Sequence, residues 1–287
     1  MNIKIGSRKS ELAISQTESV INVLKDKFPN DTFEIVGIST EGDKILDKSL
    51  KSFGGKGVFI KEIENALLSG KIDMAVHSAK DLPTDIPEGL SLSAALLRCD
   101  RSDVLVLSGD TKIDDIKIIG TGSERRRAQA IKFFPNSKFK PIRGNINTRI
   151  SKLKNGEYDA VIMAKAAIER LNISYINLIP LDFVCAAGQG ILAVETVKGN
   201  MTKYTDAIND LKVMTELQAE RAFLHFTGGG CHAPCGASAV YNGNEITMRT
   251  FYAEGKNHVY LEMTDTDPYI LGKTMAMKTL EKVKENI

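Results

Sequence analysis

Apolar and polar positions alternate between two periods along the first half of the chain. The run IKIG at 3–6 reads as a short buried strand, and Ser10 after it is placed to cap a helix reaching about Phe28. Residues 33–39, FEIVGIS, are again β-rich and apolar. Residues 58–69 carry apolar side chains at helical spacing, with Gly70 placed to end that helix. A strand at 72–76 follows, and SAKDLP at 78–83 forms the loop leaving its C-terminal end. Between the second strand and the second helix, residues 41–57 hold four Gly and four Lys and read as a loop. Strands and helices in this alternation imply a parallel sheet with helices on its faces.

The pattern recurs. LLSGKIDMAV at 67–76 has a counterpart in LKNGEYDAV at 153–161: a helix, a Gly stop, an Asp three residues later, then an apolar strand. Two readings stand side by side. One is coincidence between ordinary helix–strand units, and the other is two related α/β lobes facing a cleft, where ligands usually sit. Beyond about residue 212 the texture changes. A helix at 213–226 runs into TGGGCHAPCG, then strands at 237–241, 245–253 and 257–263 with an Asn242-Gly243 turn, and a last helix at 269–285. That is a small α+β unit.

Composition narrows the class. The 287 residues are 43% hydrophobic, which suits two domains or three small ones with ordinary cores. No apolar run approaches the ~18–20 residues a spanning helix needs, and the charged opening segment lacks a signal-peptide stretch. A cytoplasmic protein without a membrane partner is expected. Cys99, Cys185, Cys231 and Cys235 are too few and scattered for a disulfide framework. The net charge of +2 excludes a globally basic nucleic-acid binder, yet residues 112–152 hold eleven Lys and Arg against Asp114, Asp115 and Glu124. Without interleaved aromatics, that stretch reads as an anion collector or a solvated surface rather than a nucleic-acid face.

Several residues could carry chemistry. GTGSERRR at 120–127 opens a helix with Ser123 as N-cap and sets Arg125 and Arg126 in its first turn. Cations there oppose the helix dipole by a few tenths of a kcal/mol each, roughly, unless an anion binds at the same end. The alternative is a solvated helix start. Arg143, Asn145 and Arg149 repeat the arrangement, while Arg8 and Lys80 follow predicted strands. Cations from separate strand ends suit a polycarboxylate or phosphate ligand. Asp81 is either a turn former before Leu82-Pro83 or an ionised carboxylate that stabilises developing positive charge. His77 reads as structural. Cys231, after three glycines, is an accessible thiol, and Cys235 with His232 lacks the partners of a tetrahedral metal site.

Taken in register, GSRKSELA at 6–13, GGKGVF at 54–59, HSAKDLP at 77–83, GTGSERR at 120–126, RGN at 143–145, AAGQG at 186–190 and GGC at 229–231 resemble the porphobilinogen deaminase family. The resemblance implies two periplasmic-binding-protein-like (type II) α/β lobes around a cleft plus a small C-terminal α+β domain. The corresponding division is 1–97 with 190–210, then 98–189, then 211–287. It implies a monomeric transferase of tetrapyrrole biosynthesis that joins four porphobilinogen units head to tail, releases ammonia and yields hydroxymethylbilane. A dipyrromethane cofactor, made from the substrate itself, is implied as a thioether on Cys231. Asp81 matches the catalytic position. Ser10, Ser78, Lys80, Ser123, Arg125, Arg126, Arg143 and Gln189 match cofactor contacts, and Arg8, Lys56, Phe59, Arg143, Asn145 and Arg149 match substrate contacts. The Gly-rich segment around Lys51, Lys56 and Phe59 would cover the cleft. HAPCG at 232–236 departs from the family by adding a second thiol, Cys235, beside the anchor, and no role follows for Arg127.

Overall fold

The computed structural model describes residues 1–40, 60–109, 111–173, 177–229 and 233–285. Lys51, Lys56, Phe59, Cys231 and His232 lie outside the described residues.

The first sheet begins with β1 (Asn2–Arg8), which alternates so that Ile3 and Ile5 face inward. Ser10 ends its exit turn by accepting a hydrogen bond from the Ala13 amide at 3.4 Å, capping α1 (Glu11–Lys27). That helix lays Val20, Ile21 and Leu24 on Ile3, Ile5 and Met74. Each such side chain contributes on the order of 1.5–3 kcal/mol by burial. β2 (Thr32–Ile38) runs parallel to β1 on one side. After α2 (Lys61–Leu68), β3 (Met74–Ser78) runs parallel on the other. β4 (Leu90–Leu96) completes the edge, but it does not touch β3.

A second sheet repeats the plan with β5 (Asp103–Leu107), β6 (Ile118–Gly120), α3 (Glu124–Ala130), β7 (Lys138–Lys140), α4 (Ile146–Lys154), β8 (Ala160–Ala164), α5 (Lys165–Arg170) and β9 (Asn177–Leu181). β10 (Leu192–Val197) then returns to the first sheet. The strand orders are β2-β1-β3-β10-β4 and β7-β6-β8-β5-β9. In each, a parallel trio is followed by one inserted strand and an edge strand. The inserted strands, β10 and β5, are antiparallel to both neighbours. The parallel sheet expected from the alternation is therefore corrected to a mixed one in both lobes, because each takes a strand from the chain as it crosses between lobes. DVLVL and LAVETV are buried along nearly their whole length, so no period revealed their direction.

The internal repeat is structural. Asp73 Oδ2 accepts from the Lys4 amide at 2.7 Å, where β1 begins. Asp159 Oδ2 accepts from the Lys117 and Ile118 amides at 2.9 and 2.8 Å, where β6 begins. In both lobes Asp thus pins the incoming strand, three residues after a helix-ending glycine with positive φ, Gly70 or Gly156. Common ancestry or not, the two motifs do the same mechanical work.

The third unit holds β11 (Cys235–Tyr241), β12 (Ile246–Glu254) and β13 (Asn257–Asp265), all antiparallel. α6 (Thr202–Ile208) leads into α7 (Leu211–Thr227), which packs with α8 (Pro268–Glu285) over one face of that sheet around Phe223, Met248, Leu271 and Met275. No described helix is long and apolar enough to cross a membrane.

Candidate active site

The C-terminal ends of β1 and β3 share one edge of the first sheet, as those of β6 and β7 do in the second. Parallel strands bring Arg8, at the end of β1, to the same edge as the turn Ala79–Asp81 after β3. Ser78 closes β3 and exchanges hydrogen bonds with the buried Gln16 amide of α1, at 2.8 and 3.0 Å. Behind them, His77 Nε2 lies 3.1 Å from Glu195 Oε2. Both are buried, so His77 is structural, as its strand position suggested.

Asp81 is exposed and Lys80 half-buried. Burial pushes the Lys80 amine down to about 8, against the opposing pull of Asp81 and Asp103, and Arg126 and Arg125 push it further down. Lys80 and Asp81 therefore belong to one electrostatic cluster with lobe 2's guanidinium groups. Arg149, on α4, joins it. Burial lowers that group to about 10, with Arg126 and Arg143 acting in the same sense and Asp81 opposing.

Ser123 caps α3 by accepting from the Arg126 amide at 3.4 Å, mirroring Ser10. Arg125 and Arg126 follow, and both are buried. Their partner is a carboxylate that sequence reading missed. Asp103, the fully buried first residue of β5, accepts from Arg125 Nη1 at 2.7 Å through Oδ2. Its Oδ1 accepts from Arg126 Nε and Nη2 at 2.9 and 2.8 Å, and from Gln189 Nε2 at 2.9 Å. The two guanidinium groups hold Asp103 well below the usual carboxylate range despite its burial. The anion expected at this helix start is thus supplied, in part, by the protein itself. A lone Asp opening the apolar run DVLVL was the signal available, since a strand buried on both faces admits a charge only when it is paired.

Asn145 caps α4, accepting from the Thr148 amide at 2.9 Å, and Arg149 Nε donates to Gly144 O at 2.9 Å. Arg143 and the terminal nitrogens of Arg149 find no acceptor among the described residues, while Arg125 keeps Nε and Nη2 outside its bonds to Asp103 and Val184. Those donors are open to acceptors from a ligand. Arg127 is exposed, 4.0 Å from Glu124, and belongs to the helix surface.

Gly188 sits between the lobes with φ +71°. A Cβ there would meet the Ala79 carbonyl carbon at 2.9 Å and the Lys80 nitrogen at 3.0 Å. Its amide donates to Glu220 Oε2 at 2.6 Å. Glu220 and Glu216 of α7 also receive Arg98 at 2.7 and 2.8 Å, and Arg101 lies 3.6 Å from Glu216. This buried network, also absent from the sequence reading, ties the third unit to the first crossing segment, residues 97–102 between β4 and β5. Arg221 Nη2 donates to Pro83 O and Thr84 O, and Thr84 Oγ1 donates to Gly229 O at 3.3 Å. On the far flank of Cys231, a Cβ at Gly236 would lie 2.6 Å from Cys185 O and 3.0 Å from Arg125 Cδ. The described chain on either side of Cys231 is therefore held against the Asp81 loop and against Arg125. Cys235 is buried in the third unit's core, opposite Tyr252. No group of described His, Cys, Asp and Glu residues has the geometry to hold a metal ion.

Residues 3–204 match the family model for porphobilinogen deaminase, dipyromethane cofactor binding domain, and residues 214–281 match that for porphobilinogen deaminase, C-terminal domain. The porphobilinogen deaminase of Alkaliphilus metalliredigens is 40% identical over 303 residues, covering 99% of this chain and 95% of its own. That of Geobacillus kaustophilus is 42% identical over 289 residues, covering 96% and 93%. Among solved structures, the periplasmic VFT2 domain of Bordetella pertussis BvgS aligns with a TM-score of 0.42 at 17% identity, over 71% of this chain and 84% of that one.

Proposed function

Because the chain belongs to the porphobilinogen deaminase family, we propose that the cluster around Asp81 is where it performs that family's reaction. The protein is a hydroxymethylbilane synthase, a transferase of tetrapyrrole biosynthesis with a dipyrromethane cofactor. Porphobilinogen is its substrate. When bound, the cofactor supplies the pyrrole carbon from which the chain grows.

The residues present fit such a group. Each pyrrole unit carries two carboxylates, and Arg143, the terminal nitrogens of Arg149 and the outer nitrogens of Arg125 offer donors without acceptors among the described residues. Arg8, Lys80, Arg126, Ser10, Ser78, Ser123, Asn145 and Gln189 complete the proposed binding set, and Lys56 and Phe59 belong to it by sequence alone. Covalent attachment is assigned to Cys231, supported by the burial of Cys235.

Asp81 is the proposed catalytic residue, and its exposure among cations is the observation that carries the reading. As the substrate's aminomethyl C–N bond breaks, the electron pair leaves with nitrogen as ammonia and the pyrrole nitrogen becomes positive. Asp81 accepts a hydrogen bond from that N–H and stabilises the charge, which no surrounding Lys or Arg can do. Asp103, fully buried and saturated with donors, is closed to this role.

Asp81→Asn tests the assignment. It should cut ammonia release from porphobilinogen by more than about a hundredfold, as loss of one oriented electrostatic stabiliser does, while the protein's intact mass still shows two pyrrole units. Parental turnover would remove Asp81 from the mechanism. A cytoplasmic monomer acting without nucleic acid or membrane is part of the same proposal, and sedimentation of the purified chain checks its oligomeric state.

A further inference from the structure

Two consecutive arginines on a helix point roughly 100° apart, given 3.6 residues per turn. Arg125 and Arg126 nevertheless converge on one carboxylate. Asp103 lies at the start of β5, the next-to-edge strand of lobe 2's sheet, where it pairs with β8 and β9 opposite Ala164 and Leu181. It is fully buried, and four donor contacts cover its two oxygens. One of those donors, Gln189 Nε2, also bonds the Arg101 carbonyl at 2.8 Å, in the first crossing segment. Its neighbour Gly188 packs on the Ala79–Lys80 backbone directly before Asp81. A single side chain therefore joins lobe 2's guanidinium pair to the crossing segments and, through them, to lobe 1's Asp81 turn.

We propose that Asp103 is a positioning residue that assembles the Arg125–Arg126–Gln189 face before the carboxylate-bearing cofactor arrives, and sets its register against the Asp81 turn. The inference rests on the assignment of Arg125 and Arg126 to cofactor binding. Two buried guanidinium groups side by side repel and demand a counter-charge. Asp103 supplies one negative charge to two positive ones, so the pair is fixed in place yet stays net positive. Arg125 keeps Nε and Nη2 available, while Arg126 is almost entirely engaged by Asp103, Gln189 and the Ile162 carbonyl. The division of labour is specific: Arg126 braces and Arg125 receives. Preassembly matters because cofactor attachment precedes turnover, and donors already oriented cost no reorganisation when the anion docks.

The test uses full-length chain prepared without cofactor, supplied with hydroxymethylbilane and followed by intact mass. Asp103→Asn keeps the shape and removes the charge. Its attachment should be slower than parental by about tenfold or more, and the alkaline limb of the rate should move to lower pH, because Asp103 no longer supports the charge on Lys80. Asp103→Glu should restore the position of that limb. Attachment at the parental rate would overturn the proposal. So would a uniform loss at all pH values with an unmoved limb, which is what a merely weakened fold produces. Should Asp103→Asn fail to fold, Gln189→Leu takes its place. It removes one donor to Asp103 and the bond to Arg101, and should slow attachment severalfold without lowering the melting temperature in proportion; an unchanged rate overturns the proposal. Failure of the parental chain itself to gain mass would refute the cofactor-site assignment and this inference with it.

Discussion

Thr84 donates its hydroxyl to the carbonyl of Gly229 at 3.3 Å, joining the loop three residues beyond Asp81 to the chain two residues before Cys231. Arg221 braces the same loop from α7 through the Pro83 and Thr84 carbonyls. Thr84→Val keeps the shape and deletes the donor. A net loss of about 1 kcal/mol should lower turnover about fivefold while intact mass still shows the adduct. Unchanged turnover would mean that this tether does not align the two segments.

Gly188→Ala puts a methyl group 2.9 Å from the Ala79 carbonyl carbon at a positive φ. Backbone cannot retreat as a flexible side chain can, so the variant should lose about 1–3 kcal/mol of stability and most of its turnover. Thermal melting and kcat measured together check this. A variant as active and stable as the parent would show that the crossing segment and the Asp81 turn shift freely.

Glu220→Ala strips Arg98 of one partner and the Gly188 and Ala239 amides of their acceptor. Breaking a buried ion pair from one side costs about 3–5 kcal/mol, so chemical denaturation should show the transition moving to clearly lower denaturant. Glu220→Gln, which keeps an acceptor for the amides, should lose less.

Lys80 titrates near pH 8. Below that pH its amine is charged and holds carboxylates, and above it the charge is lost. Cofactor attachment and substrate affinity should therefore decline as pH rises through 8, and Lys80→Arg should push that decline upward by at least one pH unit. Stability runs the other way: a lysine lowered from 10.5 in the folded state penalises its own charged form, so its contribution to stability improves as pH rises from 8 toward 10.5. An alkaline limb unmoved by Lys80→Arg would assign it to another group.

Cys231→Ser should prevent adduct formation outright. Cys235→Ser should retain the adduct but melt lower, because a hydroxyl replaces a thiol buried opposite Tyr252 at the start of β11. Peptide mapping separates the outcomes, and an adduct on residue 235 would move the anchor.

Local features of the fold were readable from sequence because they depend on local physics. Ser10 and Ser123 cap the helices predicted from them, and the Asn242-Gly243 turn joins antiparallel strands. The Asp73 and Asp159 repeat was visible as spacing, although its mechanical purpose was not. What stayed hidden were the partners of charged residues when those partners are distant. Glu216 and Glu220, four apart on α7, look like a solvated face until Arg98 and Arg101 arrive from more than a hundred residues away. Arg125 and Arg126 read as either anion receivers or a solvated helix start, because nothing local announces Asp103, twenty-two residues upstream of Arg125. The antiparallel direction of β5 and β10 follows from the chain's crossings between lobes, a property of topology that no short window contains.

The placement of β10 between β3 and β4 has a consequence for synthesis. As the chain leaves the ribosome, β1 through β4 emerge first but cannot close their sheet, because the strand that joins β3 to β4 is complete only at Val197. Every described strand of the other lobe lies within residues 103–181. The inserted lobe can therefore finish folding before the lobe that contains it, and the N-terminal third of the protein must wait, partly assembled, with the unpaired edges of β3 and β4 exposed to whatever helps nascent chains avoid sticking.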